Sequence, residues 1–175
     1  MSFGFRSFRC WPSEASLRTP VLRLAALLKR RMCIHAVVSE HVNASAGCVR
    51  ALYEDPGNWA RLFPATIRAA RVVRKEGDTV VVKVDHVEGS VMNILRDVSS
   101  TRIDLAEFKR QYEATFVNEF IPEEEGMRYR LTASVRLKWP YRLAAPFLKR
   151  LVVARMRRLV VAPLKSAAES GCGVL

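Results

Sequence analysis

The sequence predicts an α+β fold: a curved, seven-stranded antiparallel sheet wrapped around a long C-terminal helix, with two short helices between strands 1 and 2. Three observations carry this. Apolar and polar residues alternate through much of 67–139, broken at short intervals by turn residues, as in half-buried strands. After Pro140 the apolar spacing changes to that of a helix. Between the first two strands lies ALYEDPGNWARLFP (51–64), two helical pieces around a Pro-Gly turn.

The first strand is CIHAVVSEHVNA (33–44), with Ile34, Ala36 and Val38 on one face. Asn43 or Ser45 can cap a helix over 46–54. Asp55-Pro56-Gly57 stops that helix, Asn58 starts a second over 59–63, and Pro64 closes it. Strands follow at 67–75, 79–87, 90–98, 102–109, 111–121 and 127–139. The last has the cleanest pattern: Met127, Tyr129, Leu131, Ala133, Val135, Leu137 and Trp139 on one face, Arg128, Arg130, Arg136 and Lys138 on the other. Residues 141–170 form the helix, with Leu148, Leu151, Val152, Met156, Leu159 and Val160 on an apolar arc and Pro163 as a kink or early stop. A meander of this kind curls around its helix as a grip-like half-barrel and leaves room for an apolar cavity, which the short helices plug.

The chain of 175 residues divides into three parts. Residues 1–31 form a basic extension that could be a targeting peptide, an amphipathic anchor around 21–31 or a stretch preceding a true start at Met32, and it is read as a disordered or non-native segment outside the domain. Residues 33–170 are the domain, and 171–175 a tail. The net charge of +12 is uneven, with eleven Lys/Arg and no acid between 127 and 168. This raises an anionic membrane surface or nucleic acid as partners. Nucleic acid is the weaker reading, since no binding motif or interleaved aromatic pattern accompanies the charge. No apolar run approaches the ~20 residues of a membrane-spanning helix. Cys10, Cys33, Cys48 and Cys172 are scattered without metal-ligand spacing, so they read as reduced thiols in a cytoplasmic setting, and neither metal nor cofactor is expected.

The stretch Val42-Asn43-Ala44-Ser45-Ala46, the helix with Val49, Leu52 and Tyr53, then Asp55-Pro56, Trp59, Phe63-Pro64 and the closing LKSAAE (164–169) resemble the START-related superfamily. That superfamily includes polyketide cyclase/dehydrase-like proteins, lipid-transfer domains, birch-allergen-like proteins and coenzyme-Q-binding proteins. The resemblance covers about 33–170. It implies a helix-grip fold and a hydrophobic ligand held between sheet and helix.

No catalytic signature such as a P-loop or Gly-x-Ser-x-Gly is present. The site is therefore sought among residues on inward faces. Expected cavity residues are Trp59, Phe63, Val82, Val84, Met92, Ile94, Tyr112, Phe116, Asn118, Tyr129, Leu131, Leu151 and Arg155. Glu107 shares the inward face of Ile103 and Leu105. His86, Arg96 and Arg155 are the polar candidates for chemistry, His86 because imidazole titrates near neutrality. Two functions stay open. One is a carrier of a lipid, isoprenoid quinone or polyketide-like molecule, touching membranes through its basic helix. The other is a polyketide cyclase or dehydratase that uses the polar cavity residues.

Overall fold

A computed structural model describes residues 33–139, 141 and 145–172. The expectations for 1–31 and for the tail beyond 172 lie outside these residues. Strand β1 (Cys33–Val42) leads to helix α1 (Ala46–Glu54), a 3-10 turn (Pro56–Asn58) and the short α2 (Trp59–Leu62). Six strands follow: β2 (Ile67–Glu76), β3 (Thr79–His86), β4 (Gly89–Ser99), β5 (Arg102–Phe108), β6 (Tyr112–Pro122) and β7 (Met127–Leu137). The chain closes with α3 (Ala145–Met156), one π-helical stretch (Arg157–Val161) and α4 (Ala162–Gly171). The seven strands form one antiparallel sheet in the order β1-β7-β6-β5-β4-β3-β2.

Local chemistry explains the junctions. The Ser45 side chain accepts from the Cys48 N–H at 3.3 Å and caps α1. The Asp55 carboxylate accepts from the Gly57 N–H at 2.9 Å, which bends the chain into the 3-10 turn. Asn58 makes no side-chain cap, so α2 depends on packing. The π-helical stretch ends at Val161, two residues before Pro163. That proline has no N–H to offer and its ring crowds the preceding turn. The helix widens instead of stopping, and the Ala162 N–H reaches back five residues to the Arg157 carbonyl.

Gly126 turns the chain from β6 into β7 with φ of +82°, and a Cβ there would stand 2.3 Å from the Val42 carbonyl oxygen. The obstacle is backbone and cannot swing away. Gly126→Ala is expected to destabilise by well over ~1 kcal/mol, beyond the usual loss for a left-handed glycine. Urea unfolding of the variant checks this.

The core lies between the concave face of the sheet and the C-terminal helix. β7 alternates without fault, every residue from Met127 to Leu137 at odd positions being buried. Rows of inward side chains cross the sheet. One runs Val82, Asn93, Glu107, Ala114, Val135 and Ile34 from β3 to β1. The helix adds Met156, Val161, Leu164 and Ala168. Each fully buried aliphatic side chain contributes roughly 1.5–3 kcal/mol. Edge strand β2 is largely exposed, broken by two register shifts and rich in Arg and Lys, which discourages pairing with other chains.

Two expectations are corrected. Met92 and Ile94 do not face inward; Asn93 and Leu95 are buried and Met92 is exposed. β4 carries apolar residues at both parities, so its own pattern does not choose a face. Pairing with β3 and β5 chooses it, and a shift of one residue inverts every side chain. The cysteines are not reduced thiols. Cys48 on α1 and Cys172 at the end of α4 form a disulfide across 124 residues, and no described cysteine is free.

Candidate functional site

Under the helix lies a cavity of about 110 Å³ lined by Tyr53, Trp59, Phe63, Leu105, Glu107, Phe116, Leu131 and Val160. The stretch 51–64 supplies its aromatic end. Asp55 and Pro56 fold the chain back so that Tyr53, Trp59 and Phe63 meet, with ring centroids 6.0 and 6.3 Å from Tyr53. The Trp59 indole N–H donates to the Tyr53 carbonyl at 2.7 Å, which settles its one polar atom in a buried position. Phe120 joins the same cluster, 6.0 Å from Tyr53 and 5.5 Å from Tyr129.

Polar groups form two sets. Deep in the core, the Tyr129 hydroxyl donates to Asn118 Oδ1 at 2.6 Å, and Asn118 Nδ2 donates to the Ile103 carbonyl at 3.1 Å. Burial pushes the Tyr53 and Tyr129 phenols far above their ordinary range, so both remain protonated. This set is internally satisfied and holds β5, β6 and β7 in register.

The second set gathers on Glu107. The Tyr112 hydroxyl donates to Glu107 Oε1 at 2.5 Å, and Lys109 Nζ stands 3.4 Å from the same oxygen. The Lys109 ammonium also lies over the Tyr112 ring, 5.5 Å from its centroid. His86 Nε2 is 3.7 Å from Glu107 Oε2, too far for a hydrogen bond, and it has no partner. Asn93 stands directly across from Glu107 on β4, and its Oδ1 is likewise unpartnered. Burial, then the Glu107 charge, push the Tyr112 phenol well up. Burial also lowers the pKa of His86, outweighing the nearby Glu107 charge. His86 is therefore neutral at pH 7.

The sign of the His86 shift predicts a pH dependence. The unfolded chain takes up its proton near the ordinary value of 6.5, before the folded chain does. This contribution is absent above that value and destabilises the fold as pH falls below it. His86→Gln is expected to flatten the loss of stability between pH 7.5 and 5, read as urea midpoints against the parent. An unchanged slope would mean that His86 titrates freely.

Trp59, Phe63, Phe116 and Leu131 line the cavity, and Val82, Val84, Tyr112, Asn118 and Tyr129 sit on inward faces around it. Arg96 faces outward, its Nε 3.2 Å from Asp78. Leu151 and Arg155 also lie on the exposed side of α3. The helix meets the core through Leu148, Val152 and Met156, one residue every turn, and this stripe turns 151 and 155 outward. Tyr53, Leu105, Glu107 and Val160 complete the lining. Tyr53 was visible as the last apolar residue before the break at 55–57, and Leu105 through its alternation with Glu107. Among the described residues no three His, Cys, Asp or Glu side chains are grouped to hold a metal ion.

The outer face is electrostatically divided. The basic back of β7 is met by acids on or next to β6: Arg128 by Glu123, Arg130 by Glu119, Arg136 and Lys138 by Glu113. On the helix, Arg157 pairs with Glu40 and Lys165 with Glu169. Among the described residues Lys149, Arg150, Arg155 and Arg158 have no ion-pair partner. The same stretch of chain exposes Trp139, Tyr141, Phe147 and Leu151, Phe147 at 83%.

This architecture is the helix-grip fold of START-like and birch-allergen-like proteins. A di-domain aromatase/cyclase of the steffimycin biosynthetic pathway shares it at 13% identity and a TM-score of 0.70, over 89% of this chain and 62% of that one. The chain thus spans about six-tenths of that protein. A START superfamily protein from Mycobacterium smegmatis aligns at 16% identity and TM-score 0.61, over 79% of this chain and 97% of the other. An aromatase/cyclase from Streptomyces sp. R1128 aligns at 16% identity and TM-score 0.63, over 81% and 99%. At these identities the likeness is one of fold. No protein family and no curated protein matches the chain by sequence.

Proposed function

We propose that the chain binds a hydrophobic small molecule, of lipid, isoprenoid quinone or polyketide-like class, between its sheet and its C-terminal helix, and exchanges it at an anionic membrane surface. The carrying observation is the partly open cavity, its wall mainly apolar with Glu107 as the charged exception. Its volume of about 110 Å³ is below the ~150 Å³ that holds one benzene in an engineered core. Uptake of a larger ligand therefore requires the cavity to widen, and α3 is the segment that leads into the helix over it. That segment carries exposed Phe147 and Leu151 between the unpaired cations Lys149, Arg150 and Arg155, a composition suited to a lipid interface. The fold's occurrence in a START superfamily protein supports the same reading. The Cys48–Cys172 bond favours an oxidising compartment over the cytoplasmic setting expected from the sequence.

Native mass spectrometry of the purified full chain, followed by solvent extraction, tests the ligand. A bound apolar molecule is expected; a protein that arrives empty and takes up nothing from a broad lipid panel would overturn the reading. For the membrane, Arg150→Gln with Arg155→Gln is expected to weaken binding to phosphatidylserine vesicles about 30-fold, at ~1 kcal/mol per cation. Sedimentation with vesicles measures this, and unchanged binding would remove the helix from the contact.

A second reading, a cyclase or dehydratase, is favoured by one observation: neutral His86 beside Glu107, with the Tyr112 hydroxyl on the same carboxylate. On that reading His86→Gln abolishes turnover and leaves ligand uptake intact.

A further inference from the structure

We infer that the Cys48–Cys172 disulfide is a redox latch on the cavity. Oxidised, it keeps the ligand in; reduced, it frees the end of the C-terminal helix and lets the ligand exchange. This is regulation of the cavity described above, and it rests on the hydrophobic-ligand reading.

The bond joins two elements that each continue into the cavity wall. Tyr53, a lining residue, lies on α1 with Cys48, and Trp59 and Phe63 pack on it. Val160, the helix's contribution to the lining, lies in the π-helical stretch that leads into α4, and Cys172 follows the end of α4. Apart from the bond, that end is held lightly. Ala168 is its last buried residue, and Glu169, Ser170, Gly171 and Cys172 are half-buried or exposed. Glu169 Oε1 accepts from the Asn43 N–H at 3.1 Å, an exposed contact, and stands 3.7 Å from Lys165 Nζ. A helix end with so little buried surface opens locally at low cost, and a covalent tie suppresses that opening. Once untied, fraying from this end runs through Ala168 and Leu164 to Val160 at the cavity wall.

The sulfurs are reachable. Both cysteines are half-buried, and each follows an exposed glycine, Gly47 or Gly171, where a Cβ would meet nothing within 4 Å. Cys48 lies in the first turn of α1, which holds no acid, and the positive end of a helix stabilises a thiolate. Cys48 is therefore the better leaving group. Reduction is exchange with a dithiol, such as dithiothreitol or a protein Cys-x-x-Cys pair. Its thiolate attacks Cys172 Sγ, the bond between the sulfurs breaks, and Cys48 leaves as the thiolate. The second thiol attacks the mixed disulfide, releases Cys172 and leaves oxidised, so two electrons and two protons reach the protein.

Stopped-flow release of the neutral fluorophore 1-aminoanthracene from the full chain, with and without dithiothreitol, tests this, while circular dichroism follows the fold. Reduction is expected to speed release roughly tenfold with the fold intact, as for an opening made ~1.4 kcal/mol easier. The double variant Cys48→Ser with Cys172→Ser is expected to release as fast without reductant. Should it fail to fold, the parent at graded dithiothreitol, alkylated and mass-mapped, shows whether fast release follows loss of the Cys48–Cys172 bond, as expected, or loss of the disulfide that holds Cys33. Release indifferent to reduction, release that follows Cys33, or a reduced parent that loses its fold would overturn the latch and leave hydrophobic binding standing. A parent that takes up no fluorophore in either state would overturn the hydrophobic-ligand reading and the latch with it.

Discussion

Trp59→Ala is expected to destabilise the protein by about 4 kcal/mol, within the ~3–5 kcal/mol range for truncating a buried aromatic. Trp59 is 2% exposed and touches Tyr53 from the centre of the 51–64 plug. Truncation removes that packing, leaves a void beside the existing cavity, and frees the Tyr53 carbonyl from its donor. Trp59→Phe separates the contributions. It keeps most of the apolar bulk and loses only the 2.7 Å hydrogen bond, so its cost should be ~1–2 kcal/mol. Urea unfolding of both variants decides which effect dominates. If the phenylalanine variant is as damaged as the alanine variant, hydrogen bonding and not packing holds the plug. Trp59→Ala should also enlarge the cavity, so its surviving folded fraction is expected to accept bulkier ligands than the parent.

Cys172→Ser is expected to cost about 4–5 kcal/mol, the chain-entropy value for releasing a loop of 124 residues. For a domain whose total stability is of order 5–15 kcal/mol, that loss lowers Tm by roughly 10–15 °C. The bond ties α1 to the end of α4, where Glu169 also accepts from the Asn43 N–H at 3.1 Å. Its release loosens the plug and the gripping helix together. Thermal unfolding of the parent with and without reductant, beside Cys172→Ser, checks the effect. Reductant should lower the Tm of the parent at least as far as Cys172→Ser does, and any further effect of reductant on the variant belongs to the disulfide that still holds Cys33. A parent indifferent to reductant would show that this end of the helix is held by packing alone.

Both effects depend on contacts of different range, and this separates what was legible from what was not. The plug was legible because its parts are neighbours in sequence: Asp55-Pro56 breaks the helix, and Tyr53, Trp59 and Phe63 fall within a few residues of the break. The disulfide was not, because spacing says nothing about two cysteines brought together by α1 and α4. The candidate site divides in the same way. Alternation placed His86, Glu107, Tyr112 and Asn118 on inward faces. It could not show that His86, Asn93 and Glu107 converge, since that requires the pairing of β3, β4 and β5.

By itself the sequence determined the order and kind of the elements, the inward faces of β3, β5, β6 and β7, and the change from strand to helix after β7. These follow from φ/ψ preferences and side-chain periodicity over a few residues. The tertiary structure alone decided the face of β4, the outward turn of Leu151 and Arg155, the neutralisation of the basic back of β7, and the closure of Cys48 on Cys172. In each case the local sequence was compatible with more than one arrangement. The choice between them was made by partners elsewhere in the fold, through strand register, helix packing and charge pairing.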